Sequence, residues 1–291
     1  MSGRNLRVLI AGATGYLGRH LITAYANAGY RVRALARNRS KLDALAGDVD
    51  EVFTGEVTMP ATLAGCCEGV DLVVSALGIT RQRDGVGYED VDYQANRDLL
   101  AIAIDAGVPA FAYVHVLNAS ALQGSAMVRA KSRFAAELAA APVASTVLCP
   151  SGFFADMHEI LSMAARGRVY LFGDGNACMS PVHGADLAEI CVAATQAGIA
   201  MMDVGGPEVF SANQIAELAF ATLGKQPRIT HVPLWAGKVV VSAAQLFGLG
   251  ARVGGLEFLL QASNIDMSAP GYGTRRLEAE FVASATAMRN R

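Results

Sequence analysis

Through the first 150 residues, short apolar runs alternate with stretches whose apolar positions recur every three or four residues. Residues 6–10, 31–36, 51–55, 71–76, 110–116 and 145–149 read as strands, and their near-continuous apolar character marks strands covered on both faces. Residues 16–25, 59–69, 91–107 and 129–141 carry helical spacing. In the segment 91–107 the expected apolar face is Ala95, Leu99, Ile102 and Ala106, with Gly107 ending the helix. Residues 80–88 and 118–124 read as surface loops. Strand and helix in strict alternation predict an α/β fold built on a doubly wound parallel sheet with helices on both faces.

After Pro150 the rhythm changes. Helices are expected at 153–166, 185–197, 235–247 and 256–262, with short strands at 169–172 and 201–204 and a turn at 173–175. Ser211 and Gln214 form a capping box for a further helix that Gly224 closes. Asp186 is expected as an N-cap. The chain therefore divides into residues 1–150 and a smaller, interleaved portion, 151–291, that returns strands to the core sheet.

The first strand runs into Gly12, Gly15 and Gly18, three residues apart, and then into an amphipathic helix. A strand that turns through glycines into a helix makes a phosphate site: backbone approaches closely, and N–H groups at the helix start point at the anion. Thr14, Tyr16 and Leu17 complete the turn. After the second strand no Asp or Glu lies between Tyr30 and Lys41, where a site for NADH places a carboxylate on the ribose. Arg37 and Lys41 stand there instead, and a guanidinium fork suits a 2′-phosphate, so NADPH is expected over NADH. A solvated basic loop is the plain alternative. Ala76, Leu77 and Gly78 leave the fourth strand as small residues past which a cofactor fits. Pro150, Ser151, Gly152 and Phe153 leave the sixth strand, where backbone is expected to meet the nicotinamide. Phe154, Met157, Tyr88 and Asn118 are the candidate substrate contacts.

A formal net charge of -2 argues against a nucleic-acid partner. No uninterrupted apolar run reaches the ~18 residues of a membrane span, so no membrane insertion is expected. Five cysteines and five histidines lack metal-ligand spacing, so no metal is expected, and the chain reads as reduced and cytoplasmic. A small-molecule substrate is the expected partner, and the sequence leaves a homodimer open.

The segments AGATGYLG, ALARN, AKxxF from Ala130 to Phe134, CPSGFF and VHGADLA together resemble the atypical short-chain dehydrogenase/reductase superfamily over nearly the whole chain. Within it, VYLFGDGNACMSPVHGADLAE and the ending from Asp266 to Phe281 are similar to the divinyl chlorophyllide 8-vinyl-reductase group. The isoflavone-reductase-like and nitrogen-repression-regulator-like branches are more distant. The resemblance implies a Rossmann fold and NADPH. It also implies a lysine, Lys131, that binds the nicotinamide ribose. The tyrosine that usually precedes this lysine by four residues is replaced by Met127, and His115 stands where a serine is usual. A thioether gives no proton, so two routes stay open. Lys131, its pKa lowered by burial, is the proton donor, with His115 as a relay; or the acceptor is a conjugated alkene, quinone or similar carbon that needs little acid. Plain alternatives are an exposed helix lysine and a hydrogen-bonded strand-end histidine. Tyr88 and Tyr113 are further phenols that no spacing selects. An NADPH-dependent reductase is the leading expectation; a non-catalytic dinucleotide sensor and an NAD-dependent epimerase or dehydratase are the alternatives.

Overall fold

The computed structural model describes residues 6–79, 86–246 and 250–289. Strand β1 (Arg7–Ala11) leads into helix α1 (Tyr16–Asn27), then β2 (Arg31–Ala36), β3 (Glu51–Thr54) and β4 (Leu72–Ser75). Helix α2 (Asn96–Asp105), β5 (Ala110–Val114), α3 (Ala126–Ala140) and β6 (Ala144–Pro150) complete the alternation. Beyond it come α4 (Phe154–Ala165), β7 (Val169–Phe172), β8 (Cys178–Met179), α5 (Gly184–Ala197) and β9 (Met201–Val204). The remainder comprises β10 (Phe210–Ser211), α6 (Ala212–Thr222), β11 (Ile229–Val232), α7 (Leu234–Leu246), α8 (Gly250–Ala262) and α9 (Leu277–Arg289).

Seven strands form one sheet in the order β3-β2-β1-β4-β5-β6-β9. The pairings from β3 across to β6 are parallel, with Ala11 beside Leu35 and Ser75, and Ser75 beside Tyr113. The fold is thus the Rossmann-like parallel sheet expected, and its order reverses between β1 and β4. Leu9, Val73, Phe111, Phe134 and Leu138 lie in one buried cluster. Elsewhere Tyr25 of α1 reaches Thr195 of α5, its hydroxyl 3.0 Å from Thr195 Oγ1.

The chain groups into two compact units: residues 1–116, 126–149 and 187–202, and residues 117–125, 150–186 and 203–291. The second has its own core, with Phe154, Leu161, Phe220 and Phe281 at or below 2% exposure. Small pairs β7–β11 and β8–β10 belong to it.

Four expectations about local structure are corrected. Residues 59–69 form no α-helix: a 3-10 turn at Pro60–Leu63 gives way to Gly65 and Gly69, both at positive φ, which an α-helix does not tolerate. Residues 80–85 of the expected 80–88 loop lie outside the described residues, while Tyr88 is 3% exposed and packs in the first core. The segment expected as one helix from 91 begins as a π-helical turn, Glu89–Ala95. After it, α2 buries Asn96, Leu99, Leu100 and Ala103, while Ala106 caps the end of the helix and is exposed. Asp186 is no cap either. His183 Nδ1 accepts the N–H of Ala185 at 3.1 Å, and Asp186, inside α5, accepts the backbone N–H of Arg275 at 3.1 Å and pairs with its guanidinium. Phe247, the expected end of the helix from 235, lies outside the described residues.

Candidate active site

Gly12, Arg37, Ala76 and His115 each follow the last residue of a strand, β1, β2, β4 and β5. These strands are neighbours and parallel, so the four positions share the carboxyl edge of the sheet, next to its reversal between β1 and β4. Ligands of open α/β sheets bind at that place.

The glycine turn is built by close packing. Gly12 has φ +80, and a Cβ there would lie 2.8 Å from the Ala76 carbonyl oxygen. A Cβ on Gly18 would lie 2.0 Å from the Gly12 carbonyl oxygen. These contacts bring the start of α1 down onto the turn, which Gly15 closes by donating its N–H to Gly12 O at 2.9 Å. No side chain caps α1 at Gly15, so the helix start offers its backbone to an anion. Leu17 is buried beneath the turn, whereas Thr14 is half-buried and Tyr16 lies edge-on to His20 at 5.1 Å. Arg37 is 73% exposed and 3.4 Å from Glu56, and Lys41 is exposed. A phosphate dianion can take so exposed a guanidinium from one half-buried carboxylate, because an ion pair open to solvent is weak.

At the end of β4 the Ser75 hydroxyl donates to Asn96 Oδ1 at 2.5 Å, and Asn96 Nδ2 donates to the carbonyls of Val91 and Asp92. This buried network fixes the π-helical turn, which carries Asp92 inward. Asp92 stands 3.3 Å from Lys131, which is only 12% exposed and so is no surface lysine. Lys131 Nζ also donates to Tyr113 OH at 3.5 Å and to the Val114 carbonyl at 3.3 Å. The phenol that meets the lysine is therefore Tyr113, from β5, and Met127 stays half-buried against the core. Helical spacing cannot reveal this meeting, because it joins a strand to a helix.

The expectation of a lowered lysine pKa is corrected. Burial pulls Lys131 down, but Tyr113 and Asp92 raise it further, and the balance holds it above the ordinary lysine value. Burial pushes the Tyr113 phenol up to about 12 and raises the Asp92 carboxyl despite the lysine beside it. At neutral pH the phenol is thus uncharged, and Asp92 is the countercharge to a standing ammonium.

His115 is buried, with Nε2 3.4 Å from Ser132 Oγ. Nδ1 has no hydrogen-bond partner among the described residues, so the ring is not the fully bonded strand-end histidine of the plain alternative. Burial, reinforced by the Lys131 charge, lowers it to about 4. The unfolded ring takes a proton below its ordinary 6.5, the folded ring only below about 4. Its contribution to stability is therefore present above 6.5 and is lost as pH falls through that window. The loss amounts to about 3 kcal/mol at most. His115→Phe should flatten this part of the acid limb, as measured by urea unfolding on either side of the window. An undiminished slope would assign the effect elsewhere.

In the second unit, Ser151 is committed to structure: its hydroxyl donates to Met267 O at 2.5 Å and accepts the Ser180 N–H at 3.0 Å. Pro150 O and Gly152 O accept the N–H groups of Leu117 and Val182, and Phe153 N–H meets Asp156 at 3.2 Å. Met157, expected to touch substrate, is core, as Tyr88 is in the first unit. Phe154 is also core but lines a cavity of about 470 Å³ with His183, Arg275 and Glu280. Asn118, left-handed at φ 52, donates to Asp266 O at 2.6 Å. Sequence reasoning missed Asp92 and Asn96. Their signal was a carboxylate and an amide at the head of a helix, on the side that continues into Leu99 and Ala103.

A profile of NAD(P)H-binding proteins matches residues 12–197, from the glycine turn past Lys131. The chain belongs to this NAD(P)H-binding family. It is 30% identical over 274 residues to the chloroplastic divinyl chlorophyllide a 8-vinyl-reductase of Zea mays, covering 86% of this chain and 67% of that protein. The chain thus spans about two thirds of that relative's length. It is 25% identical over 247 residues to photosystem II assembly factor Ycf39 of Trieres chinensis, covering 84% and 76%. Its fold matches that of leucoanthocyanidin reductase from Vitis vinifera, solved with NADPH, at a TM-score of 0.75 and 16% identity over 96% and 99% of the two chains. Among the described residues no helix is long and apolar enough to cross a membrane, and no group of three or more His, Cys, Asp or Glu is set to hold a metal.

Proposed function

We propose that this NAD(P)H-binding chain is an NADPH-dependent reductase acting on a conjugated or aromatic apolar small molecule, such as a quinone, an enone or a vinyl-substituted ring. The observation that carries the reading is the Lys131 ammonium held between Asp92 and Tyr113 beside the carboxyl ends of β4 and β5. When bound, the reduced dinucleotide supplies the hydride. The glycine turn holds the diphosphate, Arg37 with Lys41 grips the 2′-phosphate, and Lys131 donates N–H groups to ribose oxygens. A lysine whose pKa is raised is a reluctant acid but a steady positive charge. It therefore suits an acceptor on which negative charge spreads through a conjugated system, more than one that needs immediate protonation. The half-buried Met127 in place of a tyrosine points the same way. The vinyl-reductase relative is named for reduction of a vinyl group, which supports the acceptor class.

The test is NADPH oxidation by purified protein against a panel of quinones, enones and vinyl-substituted rings. Turnover with at least one acceptor supports the reading. Tight NADPH binding with no turnover across the panel overturns it in favour of a dinucleotide-binding protein without catalysis. Arg37→Ala should raise the KM for NADPH by roughly 10- to 100-fold, the value of one charge-assisted contact, and leave NADH unchanged. Equal effects on both cofactors would remove Arg37 from the 2′-phosphate.

A further inference from the structure

Asp92 is 0% exposed, and its side chain is 3.3 Å from Lys131 Nζ. Oδ2 accepts the Ile79 N–H at 3.3 Å, while Oδ1 has no hydrogen bond among the described residues. A carboxylate so buried is costly unless a cation answers it. Lys131, for its part, has three N–H donors; it hydrogen-bonds Tyr113 OH and Val114 O and lies in ion-pair distance of Asp92 Oδ1, with no contact nearer than 3.3 Å. The ammonium is surrounded but tightly bonded to none of them. Gly78 lies directly against this pair: a Cβ there would sit 2.8 Å from Asp92 Oδ1 and 3.0 Å from Lys131 Nζ. Glycine at this position leaves the pair free of a side chain from the β4 end.

We infer that Asp92 is a positioning residue for Lys131, holding its ammonium charged against Gly78, so that the lysine can donate an N–H to an incoming oxygen without losing its countercharge. Which oxygen receives it rests on the reductase reading above; the hold of Asp92 on the lysine does not. The other titratable groups around the lysine do not take that part. Tyr113 also raises the lysine, but its buried phenol carries no charge at neutral pH; His115 is neutral above about 4, and Cys149 raises Tyr113. A neutral phenol and a backbone carbonyl orient an ammonium but do not balance it.

The chain has four lysines, Lys41, Lys131, Lys225 and Lys238, so isotope-labelled lysine gives a spectrum simple enough to titrate by NMR in the dinucleotide-free protein. The Lys131 signal is the one missing from Lys131→Met. In Asp92→Asn it should titrate about one to three pH units lower than in the parent, the range for loss of an adjacent opposite charge. Asp92→Glu should restore most of the shift. Gly78→Ala, which forces the pair apart with Asp92 still present, should lower it by a smaller amount. In an active enzyme the alkaline limb of kcat/KM should move with the signal. A Lys131 titration unchanged in Asp92→Asn overturns the proposal; if that variant does not fold, an unchanged titration in Gly78→Ala does so. A shifted signal in a protein that reduces nothing on the acceptor panel upholds the role of Asp92 while the reductase reading falls.

Discussion

Lys131→Met should lower stability by about 3–5 kcal/mol and cut turnover by at least about 100-fold. The two losses have different origins. Methionine fills much of the lysine's volume, so packing against Tyr113 changes little. What remains is Asp92, buried, charged and without its cation. Removing one partner of a buried ion pair costs far more than removing both. Lys131→Met combined with Asp92→Asn should therefore regain most of the stability and none of the turnover. The single variant should also be least destabilised in acid, because burial raises the Asp92 carboxyl and lets it neutralise itself by taking a proton. Denaturant unfolding across pH, paired with turnover on whichever acceptor the panel yields, separates these effects. A single variant as stable as the parent would mean that Asp92 carries no charge against the lysine. Unchanged turnover would remove Lys131 from the chemistry.

Gly18→Ala carries the second large effect, and it acts through backbone alone. The added methyl would sit 2.0 Å from the Gly12 carbonyl oxygen, 2.7 Å from its carbon and 2.9 Å from Ala13 Cα. None of these atoms belongs to a side chain that can rotate away. The start of α1 must therefore move off the turn, taking the diphosphate site with it. Overpacking of this kind costs about 1–3 kcal/mol where a core can adjust, and a rigid backbone neighbour puts this variant at the upper end. NADPH affinity should fall below detection in calorimetry while the far-ultraviolet circular dichroism of the rest of the sheet persists. Retained affinity would detach the glycine turn from dinucleotide binding.

The inner strands of the sheet were legible in the sequence because they are buried on both faces and so stand out as apolar runs; the bounds of β2 follow from that run alone. The glycine turn was legible because Gly15 and Gly18 answer contacts with Gly12 a few residues away, although Gly12 itself also clears Ala76 at the end of another strand. The heart of the candidate site was not. Asp92 meets Lys131 across 39 positions, and Tyr113 meets it from a strand, so no local spacing records either contact. The π-helical turn left no mark in the apolar spacing either, and Ala106, in phase with Leu99, falls just past the end of α2 and is exposed. Asp186 misled for a related reason. An acid near a helix start is a good cap, but here a partner 89 positions away claims it, and His183 caps instead.

The first unit is not finished where its alternation ends. Residues 187–202 rejoin it after an excursion of 37 residues, bringing Cys191 and Thr195 to Tyr25 and a seventh strand to the sheet. A nascent chain leaving the ribosome must therefore wait with β6 as an open border until about fifty further residues have been made, a few seconds at ordinary elongation rates. During that interval a bare parallel strand can capture the wrong neighbour. Fragments ending near residue 150 should accordingly be collected as aggregates, and those reaching past residue 204 should be the shortest in which this unit folds.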